Sequence, residues 1–421
     1  MSRKIYVYAD WVWVEDPCLI GTLTIDSIRG KESIAFAYDK TWLESPNAIF
    51  LDPELHHFEG FQYPSDNKRS NFGLFLDSSP DRWGRMLMQR REAQNARRTG
   101  KPHKNLMDSD YLLGVHDEQR LGGVRFRLEP HSPFVSDDPK VAAPPWTVLR
   151  DLQQASWTVQ SEDSGRKLDE SLAMLIAPGS SLGGARPKAG VLDENEHLWI
   201  AKFPGRSDPR DISAWEMVAN RLAVQSGLTV CEAKLESYGT KHRTFLCKRF
   251  DRVDVDGSRK RLHFASAMTM LGHSDGSDGS TGVSYLDIAT WIIQNQKEVD
   301  KDLEELWRRI VFSIAIHNTD DHLRNHGFLL TREGWRLSPA FDLNPDPHGI
   351  GLSLNIDQAN NALDIGLVRS VARMFRIDSQ RADQIIDRVR DAVSNWRRIA
   401  NELDIARSQQ ESMTRAFSTI L

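Results

Sequence analysis

The sequence has few of the features that mark secreted, membrane and fibrous proteins. Its 421 residues include only three cysteines, Cys18, Cys231 and Cys247, and these form no C-x-x-C pair. That number and spacing predict no disulfide framework and favour a reducing, cytoplasmic compartment. There is no long uninterrupted apolar run, and the first residues lack the apolar core of a signal peptide. Neither a membrane-spanning helix nor a secretion signal is therefore expected.

An excess of one charge sign is also missing. The chain carries 54 Lys and Arg residues against 59 Asp and Glu residues, and its formal net charge is −5. This balance excludes a strong overall attraction to polyanions. One basic cluster could contact phosphates, although such a run is more typical of a solvated helix face. It consists of Arg90, Arg91, Arg97, Arg98, Lys101 and Lys104.

The composition itself is that of an ordinary globular protein. Apolar residues make up 40% and charged residues 27%, which excludes global disorder, collagen and coiled-coil arrays. The length predicts two or three units, and five prolines between positions 130 and 145 predict a linker or irregular loop. We expect an N-terminal α+β subdomain (1–128), a β-rich segment (146–250) and an all-helical segment (251–421).

Several local patterns predict individual elements. Alternating apolar residues predict strands near 5–9, 18–25 and 33–38, and hairpins near 188–203 and 235–250. Capping residues and apolar spacing of 3.6 predict helices. These helices begin at Asp81 and Ser284, span about 213–226 and 303–314, and occupy 379–400 and 402–419 near the C-terminus.

A glycine-rich segment at 180–188 reads Ser-Ser-Leu-Gly-Gly-Ala-Arg-Pro-Lys between two predicted strands. Paired glycines let backbone N–H groups approach phosphate oxygens, and Lys188 adds a positive charge. The segment is neither a Walker A motif nor G-x-G-x-x-G, however, and a simple turn explains it equally well. Both interpretations stay open on this segment alone.

A second candidate pair combines a strand lysine with a helix glutamate. Lys202 ends a predicted strand, and Glu216 lies in the next predicted helix. In kinases such a lysine, positioned by a glutamate, contacts the α- and β-phosphates. The competing interpretation makes Lys202 a surface residue and Glu216 the partner of Ser213 in a capping box. Local pattern favours the cap, because one carboxylate cannot fill both roles well.

The strongest motif is His-Asn-Thr-Asp-Asp-His-Leu-Arg-Asn at 317–325, directly after an amphipathic helix. Asp320 and Asn325 show the D-x-x-x-x-N spacing of kinase catalytic loops, in which the Asp accepts a hydroxyl proton and the Asn holds Mg²⁺. A predicted hairpin follows and leads to Asp342, the place of a second metal-binding aspartate. A merely solvated loop is the weaker interpretation, since such polar clusters usually mark sites.

With these motifs the sequence resembles the HipA family, the kinase toxins of bacterial toxin–antitoxin pairs. The matching segments cover most of the chain in the family's order: FGLFLDSSPDRWGR, SSLGGARPK, WIAKFP, SAWE, CKRFDR, HNTDDHLRNHGF and SPAFDLNP. The resemblance implies a two-lobed, protein-kinase-like α+β fold, with an extra N-terminal subdomain, a mixed β-rich N-lobe and an all-α C-lobe. It also implies ATP- and Mg²⁺-dependent phosphorylation of protein Ser/Thr residues. Family targets are aminoacyl-tRNA synthetases, and the usual partner is a helix-turn-helix antitoxin that also binds operator DNA.

Carried over to matching positions, the resemblance implies that Asp320 is the catalytic base and that Asn325 and Asp342 hold Mg²⁺. The implied ATP-binding set is Lys202, Ser181, Gly183, Gly184, Lys188, Phe250 and Glu216, with Phe250 at an adenine-stacking position. Ser181 occupies the family's autophosphorylation site, and Ser180 is an adjacent candidate. Phosphate there would add about −1.5 to −2 charge and repel ATP. The chain departs from the family at Arg186-Pro187, where well-known members carry Gln-Glu.

Two other functions are alternatives. The first is a metal-dependent phosphohydrolase, whose ligands would come from His317, Asp320, Asp321, His322 and His326. The glutamate of an H-E-x-x-H motif is missing, because Leu323 stands in its place. The second is a pseudokinase that acts only by binding an antitoxin and DNA, and the intact D-x-x-x-x-N motif argues against it.

Overall fold

The computed structural model describes residues 2–28, 30–65, 70–138, 143–161, 166–177, 179 and 184–419. The chain divides into two compact units. Unit 1 consists of residues 1–206 and 248–265, and unit 2 of residues 207–247 and 266–421. These units do not correspond one to one to the three predicted segments, so the three-way division stays a prediction.

Strands and helices alternate irregularly along the chain. Up to residue 206 they are β1 (Arg3–Ala9), β2 (Cys18–Ile28), β3 (Lys31–Tyr38), α1 (Lys40–Leu43), α2 (Gly73–Asp77), α3 (Arg82–Thr99), α4 (Asp108–Gly114), β4 (Val124–Arg127), α5 (Leu149–Gln160), α6 (Arg166–Leu175), β5 (Lys188–Leu192) and β6 (Leu198–Lys202). From residue 207 they are α7 (Ile212–Ser226), β7 (Ala233–Glu236), β8 (Thr244–Lys248), β9 (Arg252–Val255), β10 (Ser258–Arg261), β11 (Phe264–Ser266), α8 (Ala267–Met270), α9 (Tyr285–Asn295), α10 (Val299–Ala315), β12 (Gly327–Thr331), β13 (Gly334–Leu337), α11 (Ile365–Ser370), α12 (Ser379–Ser394), α13 (Trp396–Glu402) and α14 (Arg407–Met413).

The N-terminal sheet of unit 1 is antiparallel and has the strand order β3-β2-β1-β4. Along β1 the side chains of Ile5 and Val7 are fully buried, whereas Lys4 is exposed. This alternation is the period of a strand with one covered face, and it confirms the strands predicted for the first 38 residues. The predicted hairpin of β5 and β6 also forms, with Lys188 opposite Lys202.

Unit 2 is built around α10, which carries the catalytic-loop motif at its end. Leu303, Leu306, Trp307 and Ile310 of α10 are fully buried, and the helix packs against α9 and α12. Their spacing is that of one apolar helix face, so the predicted amphipathic helix is confirmed. The capping box at the start of α9 is confirmed as well, because the Asp287 carboxylate accepts from both the N–H and the hydroxyl of Ser284.

The segment 251–421 is not all-helical as expected: the β9–β10 hairpin was not predicted, whereas the β12–β13 hairpin is the one predicted before Asp342. β9 and β10 form an antiparallel hairpin in unit 1, and β12 and β13 form another in unit 2. The first hairpin turns at Asp256-Gly257, where both residues have positive φ. An Asp-Gly pair is a strong signal for such a two-residue turn, and it marks the strands that the sequence analysis missed.

Two helix boundaries also differ from expectation. α7 is capped by Asp211, whose Oδ1 accepts from the N–H of Ala214 at 3.2 Å, so Ser213 lies inside the first turn and the predicted Ser213–Glu216 box is wrong. Near the C-terminus, the helix predicted over 379–400 is interrupted at Asn395, and α14 replaces the long helix predicted over 402–419. Asp404 has a left-handed backbone (φ +51°), which breaks helical geometry there.

Within the parts of the chain that the structure describes, no helix is both long and apolar enough to cross a membrane.

Candidate active site

The catalytic-loop motif begins where α10 ends. The chain leaves the helix at Ile316, and His317 adopts a left-handed backbone with φ of +50°. The N–H of Asn318 then returns to the carbonyl of Ser313 at 2.8 Å. The bond from Asn318 satisfies one of the last carbonyls of α10 and ends the helix there. It thereby fixes the direction in which residues 319–325 leave the helix.

Asp320 and Asn325 lie in one tightly bonded turn. The N–H of His322 bonds to the carbonyl of Asp320 at 3.1 Å, and the N–H of Asn325 bonds to that of His322 at 2.8 Å. The amide nitrogen of the Asn325 side chain also donates to the carbonyl of Asp320 at 2.8 Å. Asp320 is exposed to solvent, whereas Asn325 is only 7% exposed. The structure thus brings the two predicted residues together, with a solvated carboxylate beside a buried amide.

Asp342 follows the β12–β13 hairpin, as the sequence predicts. Its φ is +60°, a left-handed conformation that is costly for a residue other than glycine and that often occurs at functional sites. Asn344 connects this segment to the catalytic loop, because its side chain donates to Asp342 Oδ1 at 3.1 Å and its N–H donates to Asn318 Oδ1 at 3.0 Å. A second link joins the N–H of Asp346 to the carbonyl of His317 at 3.0 Å.

These residues fit a divalent cation. Asn325 uses its amide nitrogen for the bond to Asp320, so the side-chain oxygen is not engaged in that bond. Asp342 adds a carboxylate from a segment that is tied to the same loop. Oxygen atoms of carboxylate and amide groups are the ligands that Mg²⁺ prefers, and Asn325 and Asp342 are therefore suitable Mg²⁺ ligands.

A buried cluster whose role the sequence pattern does not indicate lies behind this loop. The Asp321 carboxylate lies 3.0 Å from His326 Nε2, and it accepts hydrogen bonds from the Tyr285 hydroxyl at 2.6 Å and the Ser313 hydroxyl at 3.2 Å. Burial alone would raise the pKa of Asp321, but His326 and Tyr285 lower this pKa below its ordinary value. Burial and the nearby Asp321 raise the pKa of Tyr285 well above its ordinary value.

This cluster conflicts with the metal site of the phosphohydrolase alternative. Asp321 and His326 are buried and lie against each other, with 3.0 Å between Oδ1 and Nε2. Within the described ranges, no three or more His, Cys, Asp or Glu side chains converge in an arrangement that could hold a metal ion. The His and Asp residues of the motif therefore do not assemble as the ligand set of that alternative.

The described end of the glycine-rich segment is anchored inside unit 1. Gly184 has φ of +85°, and a Cβ at this position would lie 3.2 Å from Lys188 Nζ. Lys188 is only 2% exposed, and its ammonium pairs with Asp81 Oδ2 at 2.9 Å. Asp81 also caps α3, and the Trp83 indole donates to the carbonyl of Lys188 at 3.0 Å. Phosphate binding by Gly184 and Lys188 stays a prediction, and in this structure Lys188 is paired with Asp81.

The other predicted ATP-binding residues are distributed over both units. In unit 1, Lys202 ends β6 and is half-buried, and the ring of Phe250 lies 5.8 Å from that of Phe264. In unit 2, Glu216 is buried within α7 at 5% exposure. Ser180, Ser181 and Gly183 lie outside the described residues. The ATP-binding roles of this set stay predictions.

The polar segment 272–282 lies beside the catalytic loop within unit 2. Asp275 forms a 2.6 Å ion pair with Arg324, which stands between Asp320 and Asn325. The N–H of Gly279 bonds to the carbonyl of Ser353 at 2.7 Å, and the Asn355 side chain donates to the carbonyl of Gly279 at 2.8 Å. The segment is thus hydrogen-bonded to its neighbours in unit 2.

Comparison with known families decides the classification. The family model of the HipA-like C-terminal domain matches residues 180–396, just over half of the chain. The chain belongs to the HipA family. The matched range contains the glycine-rich segment, the catalytic-loop motif and Asp342, which are the pieces on which the sequence resemblance depends.

Individual relatives are distant. A Haemophilus influenzae protein named as a candidate kinase is 28% identical over 181 residues, which are 39% of this chain and 52% of that protein. The serine/threonine-protein kinase toxin HipA of Shewanella oneidensis is 24% identical over 143 residues, which are 30% of this chain and 33% of that protein. The matched parts therefore span about half of the first relative's length and a third of the second's.

The solved structure of Shewanella oneidensis HipA, in complex with HipB and operator DNA, shares the fold. Its TM-score to this chain is 0.68 at 15% sequence identity, over 99% of this chain and 96% of that one. The expected α+β, kinase-like fold, with a β-rich first part and a helical last part, is confirmed. At this identity the likeness is one of fold alone.

Proposed function

We propose that this protein is an ATP- and Mg²⁺-dependent serine/threonine protein kinase and the toxin of a bacterial toxin–antitoxin pair. One observation carries the proposal: an exposed Asp320 and a buried Asn325 share one bonded turn, to which Asn344 ties the segment of Asp342. A kinase needs this combination of one solvated base and two oxygen ligands. Membership of the HipA family supports the same reaction.

In this mechanism Asp320 accepts the proton of the protein substrate's hydroxyl, because it is the solvent-exposed carboxylate of the turn. Asn325 and Asp342 hold the metal ion, which neutralises charge on the phosphates when bound. Lys202, at the end of β6, contacts the phosphates of ATP. Phe250 stacks on the adenine.

The finer parts of the proposal come from the family resemblance. The substrate is a component of translation such as an aminoacyl-tRNA synthetase, and the location is the cytoplasm. The partner is a helix-turn-helix antitoxin, through which operator DNA is reached; the complex of the Shewanella relative with HipB and operator DNA supports this. Autophosphorylation at Ser181 or Ser180 would inhibit the kinase. Mass spectrometry after incubation with ATP tests this site, and phosphate found only at other residues would reject it.

The decisive experiment is the variant Asp320→Asn. We expect phosphate transfer from ³²P-labelled ATP to protein to fall by about 10²- to 10⁴-fold, the usual contribution of a general base, with an unchanged thermal unfolding midpoint. The matched control is Asp391→Asn, which makes the same change at an exposed position in α12 and should transfer phosphate at the wild-type rate. Undiminished transfer by Asp320→Asn would reject the proposed role of this residue.

A further inference from the structure

The two residues that follow the candidate catalytic residues form a pair of their own. Asp321 comes directly after Asp320, and His326 comes directly after Asn325, so both pairs have the same separation along the chain. His326 Nε2 lies 3.0 Å from Asp321 Oδ1, with side-chain exposures of 2% and 5%. This contact joins the two ends of the turn on its buried side, whereas the side chain of Asp320 is exposed to solvent.

This pair is anchored to two helices of unit 2. The second carboxylate oxygen of Asp321 accepts from the hydroxyls of Tyr285, the first residue of α9, and Ser313 in α10. The start of α9 is itself fixed by its capping box and by a 2.9 Å bond from the N–H of Tyr285 to the carbonyl of Asn355. The carbonyl of His326 accepts from the N–H of Ala267 at 2.8 Å. Both ends of the turn are therefore held from outside the turn.

A buried carboxylate beside a histidine ring is a costly way to gain stability alone, since apolar side chains of similar size often stabilise a fold equally well. What the arrangement adds is direction, because a carboxylate that accepts two hydroxyl hydrogen bonds and also contacts a histidine ring tolerates only a narrow range of partner positions. Within the turn, the N–H of His322 and the side chain of Asn325 both donate to the carbonyl of Asp320. The position of Asp320 relative to Asn325 therefore depends on where the two ends of the turn are held.

We infer that Asp321 and His326, braced by Tyr285 and Ser313, are positioning residues that set the separation of Asp320 from Asn325. The catalytic consequence rests on the proposed kinase function, whereas the structural part does not. Loss of the brace should loosen the turn and weaken the metal site, since residues that orient metal ligands usually contribute 10- to 100-fold to affinity or activity.

Three variants separate positioning from general stability. His326→Leu removes the ring nitrogen that lies 3.0 Å from Asp321, whereas His326→Gln keeps a polar nitrogen that can contact the same carboxylate. Ile386→Val is the control, because Ile386 is fully buried in α12 and its change lowers stability without touching the turn.

The first measurement is amide hydrogen exchange of residues 318–327 without nucleotide or metal. We expect exchange about tenfold or more faster in His326→Leu, close to wild type in His326→Gln, and unchanged in Ile386→Val. Equal exchange in His326→Leu and wild type would overturn the inference. This outcome does not depend on any kinase activity, so it is distinct from a failure of the proposed function.

The second measurement is the Mg²⁺ concentration for half-maximal phosphate transfer. It should rise about 10- to 100-fold in His326→Leu and stay within about threefold of wild type in His326→Gln and Ile386→Val. A merely structural role would lower the amplitude without moving the half-point, which would contradict positioning. A wild-type protein that transfers no phosphate would instead contradict the proposed function.

Discussion

Two clusters of charged groups, one in each unit, differ in how they meet water. In unit 1, Asp251 is fully enclosed: Arg249 binds it through two nitrogens at 2.7 and 2.9 Å, Arg252 through one at 2.6 Å, and the N–H of Gly122 donates at 2.8 Å. In unit 2, Asp320 is open to solvent, and Asp342 is held in a left-handed conformation.

This contrast separates a charged cluster that supports the fold from one that can bind a substrate. Arg249 and Arg252 also donate hydrogen bonds to the carbonyls of residues 118–120. These bonds connect residues 249–252 with residues 118–120 within unit 1. A charge that is enclosed and matched on every side can stabilise but cannot receive a substrate. Asp320 stays open to a substrate, and Asp342 keeps a left-handed backbone that stability alone would not select.

The largest expected effect comes from opening the enclosed cluster. Asp251→Asn should lower the free energy of unfolding of unit 1 by about 3–5 kcal/mol, because it leaves two buried guanidinium groups without their counter-charge. Thermal unfolding followed by circular dichroism measures this loss. The control is Glu170→Gln, which breaks the exposed Arg166–Glu170 pair and should change stability by less than about 0.5 kcal/mol.

A loss for Asp251→Asn no larger than that of the control would mean that the cluster is not the scaffold of unit 1. If Asp251→Asn, at a temperature where it is folded, lost phosphate transfer as completely as Asp320→Asn, the Asp251 cluster would have a direct role in the reaction and would not be purely structural.

The buried His263 of unit 1 should make the stability of the protein depend on pH. Its ring is buried, stacks on Trp11 at 5.4 Å, and has its pKa lowered by burial to about 3. The unfolded chain binds a proton at this histidine below about pH 6.5 and the folded protein does not, so stability falls as the pH drops from 6.5 towards 3. Between pH 7 and pH 5 we expect a loss of about 1–2 kcal/mol.

Denaturant unfolding at a series of pH values measures this loss, and His263→Phe should make the curve flatter over the same range. If the free energy of unfolding depends on pH equally in wild type and His263→Phe, the histidine takes up its proton in the folded protein as it does in the unfolded chain. That result would contradict a neutral His263 ring.

The smallest expected effect concerns strain. Asp342→Gly should change the free energy of unfolding by less than about 1 kcal/mol, because glycine adopts positive φ without penalty but the variant also loses the hydrogen bond from Asn344. Its phosphate transfer is lost with the metal ligand. Asp404→Gly is the control, since Asp404 is exposed and has φ of +51°, and it should gain about 1 kcal/mol and keep full activity.

If both glycine variants stay active, Asp342 is not a metal ligand. If Asp342→Gly loses more than about 1 kcal/mol, relief of the positive φ does not offset the lost hydrogen bond from Asn344. Chemical denaturation and the phosphate-transfer assay together decide between these results.

The sequence predicts the site better than it predicts the supports of the site. Asp320 and Asn325 follow from spacing, and Asp342 follows from the hairpin before it. Asp320 and Asp321 are the same residue type side by side, however, and only the direction of the backbone after α10 makes one exposed and the other buried. The repeated five-residue separation of Asp320–Asn325 and Asp321–His326 was the available signal for the brace.

Long-range partners are the second reason for what was missed. Lys188 and Lys202 face each other in the β5–β6 register, and both look like phosphate contacts in sequence. Lys188 is nevertheless paired with Asp81, which lies 107 positions away. The residues around Lys188 do not indicate a partner so far away in sequence, because the pairing depends on how α3 packs within unit 1.

The Arg249–Gln119 bond, which spans 130 positions, also has a consequence in time. A ribosome that adds about 5–20 residues per second needs roughly 6 to 26 s to pass from one residue to the other. During that interval residues 117–122 have been synthesised, whereas the arginines that will bind their carbonyls have not. Unit 1 therefore finishes folding only after the intervening stretch of unit 2, residues 207–247, has left the ribosome.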